Sequence, residues 1–113
     1  MKKFLVLYGS SVPAAEQMAK ASPDQRKGGM DAWMAWARKA GPAIIDLGSP
    51  LGSATAVKTS SKPASANVTG FSILQAESAK ALAELLKDHP HLHAPGASIE
   101  VLEFLAIPGS SQK

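Results

Sequence analysis

Stretches that are apolar on both sides alternate along this chain with stretches that are apolar on one side only. In Lys3 to Tyr8, the side chains of Phe4, Val6 and Tyr8 fall on one face of an extended segment and Leu5 and Leu7 on the other, which predicts a central strand. Gly9-Ser10-Ser11 ends it, and Pro13 suits the first turn of a short helical piece reaching Lys20. Ser22-Pro23-Asp24 reads as a cap followed by proline at the first helical position, opening a helix that runs to Ala40 and stops at Gly41-Pro42. At about 100° per residue Met30, Trp33, Met34, Ala37 and Ala40 share a face, so Trp33 is expected in the core. Trp36 then falls at the margin of that face, as a rim residue, a subunit contact or a pocket wall. Gly28-Gly29 weakens the first half of the helix by about 1 kcal/mol per glycine relative to alanine.

Further along, Ala43 to Leu47 is a short strand, Gly48 to Gly52 a turn, Ala54 to Thr59 a polar edge strand, and Ser60 to Asn67 a flexible loop. Val68 to Ala76 alternates Thr69, Phe71, Ile73 and Gln75 with Gly70, Ser72, Leu74 and Ala76, so both of its faces can be buried. Ser78 caps a helix to Asp88 whose stripe is Leu82, Ala83, Leu85 and Leu86. A histidine-rich connection, His89 to Gly96, leads to a last strand, Ser98 to Leu105, with Ile99, Val101 and Leu105 on one face and Leu102 and Phe104 on the other. This order predicts an α+β ferredoxin-like sandwich with an edge hairpin inserted before the third strand. Two helices cover one face of such a sheet. The second face is apolar too, and monomers rarely expose apolar patches beyond a few hundred Å², so the sheet is expected to pack on its own copy in a homodimer.

At 113 residues the chain reads as one domain over residues 1–105, with 106–113 a flexible C-terminal tail. Charged residues make up 19% and apolar residues 45%, which suits a folded globular chain. The net charge is +3, but the lysines and arginines are scattered, which argues against nucleic acid as a partner. There is no cysteine, so thiolate metal sites and cysteine nucleophiles are excluded. Lys2-Lys3 followed by Phe4 to Tyr8 imitates a secretory signal, but the apolar run is too short for one and no stretch is long enough to span a membrane. A cytoplasmic protein with no membrane partner is the expectation.

The opening KKFLVLYG, the block ARKAGPAIIDLGSPLGSATAVK, the strand GFSILQAES and the segment HPHLHAPGASIEVLEF resemble the YCII-related, or DGPF-domain, proteins of bacteria. The resemblance covers Lys2 to Phe104 and is most specific from Gly70 onward. It implies a dimeric α/β barrel, two ferredoxin-like sheets face to face. The Asp-Gly-Pro-Phe element itself is replaced by Ser61-Lys62-Pro63-Ala64-Ser65. Shorter relatives pair a first-helix histidine with an aspartate, but the matching position is about Met30 and no histidine precedes His89, so that pair does not carry over.

The candidate chemistry is sparse. His89, His91 and His93 alternate, and in an extended segment all three would face one side, where with Asp88 or Glu100 they could hold zinc; equally, histidines after a helix often serve only its C-terminal dipole. No cofactor is otherwise expected. His91 is the candidate general base, with Tyr8 or Glu100 as partner. Asp46, in the apolar run Ile44-Ile45-Asp46-Leu47, is either a buried acid or base or an outward charge guarding an edge strand. Neither a P-loop nor a Gly-x-Ser-x-Gly elbow is present. The leading expectation is a homodimer that binds a small molecule between sheet and first helix through Tyr8, Trp33, Trp36, His89, His91 and His93, with Tyr8, Asp46 and His91 for catalysis should turnover occur. A non-catalytic dimerisation or regulatory module and a metal-binding protein are the alternatives.

Overall fold

The computed structural model describes residues 1–58, 67–94 and 96–107. Four strands form one antiparallel sheet: β1 (Lys2–Gly9), β2 (Ile44–Pro50), β3 (Val68–Ala76) and β4 (Ser98–Glu103), in the spatial order β2-β3-β1-β4. Helices α1 (Ala14–Lys20) and α2 (Pro23–Ala40) join β1 to β2, and α3 (Ala79–Leu86) with a 3-10 turn (Pro90–His93) joins β3 to β4. This is the ferredoxin-like α+β arrangement that the sequence predicts, with its longest apolar strands, β1 and β3, at the centre of the sheet.

Register divides the strands into two faces. Phe4 lies opposite Leu74, Val6 opposite Ser72 and Val101, and Tyr8 opposite Gly70 and Ile99; this face meets the helices. Phe4, Val6, Tyr8 and Leu74 are fully buried there under Trp36 and Ala40 of α2 and Leu82 and Leu86 of α3. On the other face Leu5 lies opposite Ile73 and Leu102, and Leu7 opposite Phe71. Those residues stay partly exposed, Leu102 at 50%.

The capping signal at α2 is realised in full. Ser22 Oγ accepts from the Gln25 amide at 3.1 Å while Gln25 Oε1 accepts from the Ser22 amide at 2.8 Å, a reciprocal capping box that satisfies two of the donors a helix start leaves open. Its buried face differs from the expected one. Trp36 and Ala40 are buried with Trp33 and Ala37 packed beside them, whereas Met30 is 61% and Met34 39% exposed. The i, i+3, i+4, i+7 stripe is therefore 33, 36, 37, 40. All of α2 up to Ala32 is solvent-exposed, so Met30 has no core to enter, and the larger apolar surface of Trp36 takes the inward position.

Around β2 the structure departs from expectation twice. The Gly48-Ser49-Pro50 turn is instead the end of β2, and the ladder continues past it, with the Leu51 amide donating to the Thr69 carbonyl at 2.9 Å. Shifts of register at Ile44/Asp46 and Asp46/Ser49 accommodate this, and Gly48 sits at φ +84° in the second of them. The edge strand expected over Ala54 to Thr59 does not form in its described part, 54–58, where Val57 is fully exposed, so the inserted hairpin is missing there. A strand of small and polar residues offers no apolar face to hold it on the sheet. Thr59, the loop 60–66 with its Ser61-Lys62-Pro63-Ala64-Ser65 segment, and 108–113 of the tail lie outside the described residues.

The same substitution should act in opposite directions at two glycines. At Gly48 an added Cβ would lie 1.6 Å from the Phe71 carbonyl oxygen, on a backbone that L residues rarely adopt, so Gly48→Ala should lower the melting temperature sharply or prevent folding. At Gly28 an added Cβ meets nothing within 4 Å, so Gly28→Ala should stabilise α2 by about 0.5–1 kcal/mol. Thermal denaturation of the two variants checks both signs.

Candidate functional site

Tyr8 ends the inward face of β1, and only 2% of it reaches solvent. Its hydroxyl donates to Ser72 Oγ at 2.8 Å, and Ser72 Oγ donates to the Leu47 carbonyl at 2.6 Å, a polar relay running from β1 through β3 to β2. Burial pushes the Tyr8 hydroxyl above its ordinary pKa, with the Ser72 bond opposing the shift, so Tyr8 stays a neutral phenol. Opposite it stands Gly70, where an added Cβ would lie 3.6 Å from Tyr8 Cδ2, in ordinary contact with the ring.

The histidine segment is a 3-10 turn, which corrects the extended geometry expected of it. His89 caps the turn. Its Nδ1 accepts from the His91 amide at 2.9 Å, which puts the ring proton on Nε2. The imidazole is 1% exposed, with ring centroids 4.3 Å from Trp36, 4.4 Å from Trp33 and 5.0 Å from Tyr8. Nε2 has no conventional hydrogen-bond partner among the described residues. Its surroundings are aromatic rings, whose faces accept an N–H weakly. Burial, and secondarily the nearby His91, lower the His89 pKa to about 4, so the ring is neutral at physiological pH.

His91 swings the other way. Its Nε2 lies 2.8 Å from the Gly9 carbonyl oxygen; a carbonyl only accepts, so Nε2 carries the proton and Nδ1 keeps a free lone pair. The ring stands 5.2 Å from that of Tyr8. Both border a cavity of about 320 Å³. Gln17 and Met18 of α1 and Gly29, Met30 and Trp33 of α2 form one wall, and Leu47 to Pro50 with Thr69 to Phe71 the other. Among the described residues, Tyr8 and His91 are the only ionisable ones in the lining, which contains no Asp, Glu, Lys or Arg.

Of the residues singled out from sequence, the cavity brings together Tyr8, Trp33 and His91. Trp36 and His89 lie behind it as buried support, and His93 is exposed beyond the turn. Asp46 is exposed on edge strand β2, opposite Ile73 of the open sheet face, with Oδ1 accepting from the Gly48 amide at 2.8 Å. Glu100 lies opposite Leu7 on that same face, away from His91. The three imidazoles therefore diverge, and among the described residues no group of three or more histidines and carboxylates could hold a metal ion. Sequence reading missed Gln17, Gly29, Ser49, Thr69 and Ser72. Ser72 was the detectable one, a hydroxyl on an otherwise apolar buried strand face; Gly29 left a weaker signal as a helix-interior glycine.

No protein-family model matches the chain, and no curated protein matches it. Among solved structures it is similar to 5-chloro-2-hydroxyhydroquinone dehydrochlorinase (TftG) from Burkholderia phenoliruptrix AC1100, in complex with 2,5-dihydroxybenzoquinone. The TM-score is 0.57 at 21% identity, over 96% of this chain and 99% of that one. The likeness is one of fold. Among the described residues no helix is long and apolar enough to cross a membrane.

The buried imidazole gives acid sensitivity a definite window. An unfolded chain protonates His89 near pH ~6.5, whereas the folded protein resists protonation down to about 4. Stability is therefore intact above that upper value and declines as pH falls between the two, where the unfolded state binds the extra proton. His89→Asn keeps an acceptor for the His91 amide and does not titrate. The stability lost between pH 7 and pH 5, measured by urea unfolding, should be smaller in the variant than in the wild type; equal losses would contradict this assignment.

Proposed function

We propose that this chain is a cytoplasmic, homodimeric small-molecule-binding protein of the YCII-related kind, whose cavity between the sheet and helices α1 and α2 takes a small uncharged planar ligand. In this reading His91 exchanges a proton with the ligand. The observation that carries it is the cavity itself, about 320 Å³ with aromatic and aliphatic walls, and with the His91 imidazole and the neutral Tyr8 phenol at one side. That volume lies at the lower end of the range for small-molecule sites, and an apolar concavity with a few placed polar groups is their usual form. A protein of similar fold, TftG, is a dehydrochlorinase solved with a one-ring quinone, which gives a scale for such a ligand.

The chemistry follows from the tautomer. With Nε2–H held by the Gly9 carbonyl, His91 can act as a base only through Nδ1. Taking up a proton there makes the ring cationic, and its bond to Gly9 becomes charge-assisted and stronger, so the backbone stabilises the state in which the ligand has lost its proton. Tyr8, held neutral by burial and tied to Ser72, positions the ligand and does not compete for its proton. Nothing in this sequence of events needs a metal.

A second reading, a dimerisation module without turnover, draws on the open sheet face of Leu5, Leu7, Ile73 and Leu102. Both readings share the dimer, in which those faces meet about a two-fold axis. They part at the cavity.

Two variants test the proposal. An added side chain at Gly29 meets no protein atom within 4 Å at its Cβ and borders the cavity, so Gly29→Leu should fold normally while filling the site. In a thermal-shift screen of neutral aromatic compounds, a compound that stabilises the wild type by several degrees should leave Gly29→Leu unmoved; equal shifts in both would place binding elsewhere. The wild type should be a dimer in native mass spectrometry, and Leu5→Glu should convert it into monomer. A wild-type monomer would remove the dimer from the reading.

A further inference from the structure

All but one of the polar side chains around the cavity have spent their hydrogen-bond donors inside the protein. Gln17 shows it most clearly: its Nε2 contacts the Val12 carbonyl at 2.6 Å and Ser10 Oγ at 3.1 Å. The carbonyl can only accept, which fixes that atom as nitrogen and leaves Oε1 as the free end of the carboxamide. His91 donates Nε2–H to Gly9, which leaves Nδ1 as a lone-pair acceptor. Three hydroxyls follow the same rule. Tyr8 donates to Ser72, Thr69 Oγ1 to the Tyr8 carbonyl at 3.2 Å, and Ser49 Oγ to the Pro50 carbonyl at 2.9 Å. The Trp33 indole N–H is the one donor among the polar lining side chains without a partner among the described residues.

A cavity that offers acceptors and no charge favours one ligand class. An acceptor-only ring could pair one oxygen with the Trp33 indole N–H but would set the others against the lone pairs of Gln17 Oε1 and His91 Nδ1, and burying polar groups without partners is costly. A ring carrying O–H groups satisfies both. Acting on the small-molecule reading above, we infer that the pocket selects an uncharged aromatic ring bearing two or more hydroxyl groups, a polyhydric phenol, over rings of similar shape that only accept hydrogen bonds. Gln17 and His91 are the specificity-determining pair, and Gln17 is placed for it by the N-terminal loop of α1, which fastens its amide nitrogen. The hydroxyl facing His91 Nδ1 is then also the one whose proton that nitrogen can take.

Three ligands of related size decide the matter: resorcinol, which donates; 1,3-dimethoxybenzene, which only accepts; and m-xylene, which does neither. Each is titrated into isotope-labelled wild-type protein, with binding read from the Trp33 indole and pocket amide signals in 1H–15N spectra. Resorcinol should bind about tenfold or more tightly than either of the others, the effect of two retained hydrogen bonds, despite being the most water-soluble. Gln17→Met, with α1 amide signals confirming that the helix persists, should narrow the gap by a factor of about three. Binding of m-xylene or the diether as tight as resorcinol would overturn donor selection while leaving the small-molecule pocket standing. Binding by none of the three would overturn both.

Discussion

Four ring side chains with polar handles, Tyr8, Trp33, Trp36 and His89, meet where β1, α2 and the turn before β4 converge, and three of them are buried almost completely. Rings of this kind supply much of the apolar area a small domain can bury, but each brings a polar atom that must not be stranded. Tyr8 donates its hydroxyl hydrogen bond to Ser72, and Trp36 Nε1–H reaches the Leu85 carbonyl at 3.4 Å, a long bond. His89 meets half of the requirement by accepting the His91 amide and leaves its Nε2–H among the aromatic faces. A charged imidazole could not sit there, because burial of an unpaired cation costs far more than burial of a neutral ring.

The position of His91 follows from that cluster. Accepting its amide, His89 winds the segment into a 3-10 turn, which carries His91 over the end of β1 to the Gly9 carbonyl and sends His93 outward. The placement of His91, and with it its tautomer, thus depends on a neighbour that never reaches the cavity. On the opposite wall the bulged end of β2, closed by Gly48, aims the Leu47 carbonyl at Ser72 and completes the relay from Tyr8. Helix α1 buries no residue of its own, and the Gln17 carboxamide ties it to the loop before it. The core is built by β1, β3, α2 and α3; the pocket borrows its remaining walls from the least buried elements, α1 and the edge strand.

Similarity of fold to a dehydrochlorinase at 21% identity is what a widely used sandwich architecture allows, and it leaves chemistry to the site. Here the site is uncharged and poor in donors. Its character comes from the particular bonds of Gln17, His91 and the three hydroxyls, none of which is a property of the sandwich as such.

The local chemistry of the chain was enough to determine the four strands that form, the helices and their order, although it also predicted an edge strand over 54–59 that is missing from its described part. Apolar residues on both faces of Lys3 to Tyr8 and Val68 to Ala76 mark central strands, and Ser22-Pro23 and Ser78 mark helix starts, because periodicity and capping are satisfied within a few residues. Tyr8, Trp33 and His91 were recognisable as candidates from residue type and position, a tyrosine ending an apolar strand, a tryptophan on the apolar face of its helix and an imidazole in the connection before the last strand. What only the tertiary structure decided depends on contacts remote in sequence. The rotation of α2 that brings Trp36 inward and leaves Met30 and Met34 exposed is set by the sheet beneath and by Leu85 above. Asp46 is turned outward by a bulge that answers to β3, and the histidines diverge because His89 finds its stable place among rings from β1 and α2. No window of sequence around residues 89–93 contains those rings, so their alternate spacing allowed an extended connection with metal binding as one alternative, while burial produced a neutral pivot and set His91 against the Gly9 carbonyl.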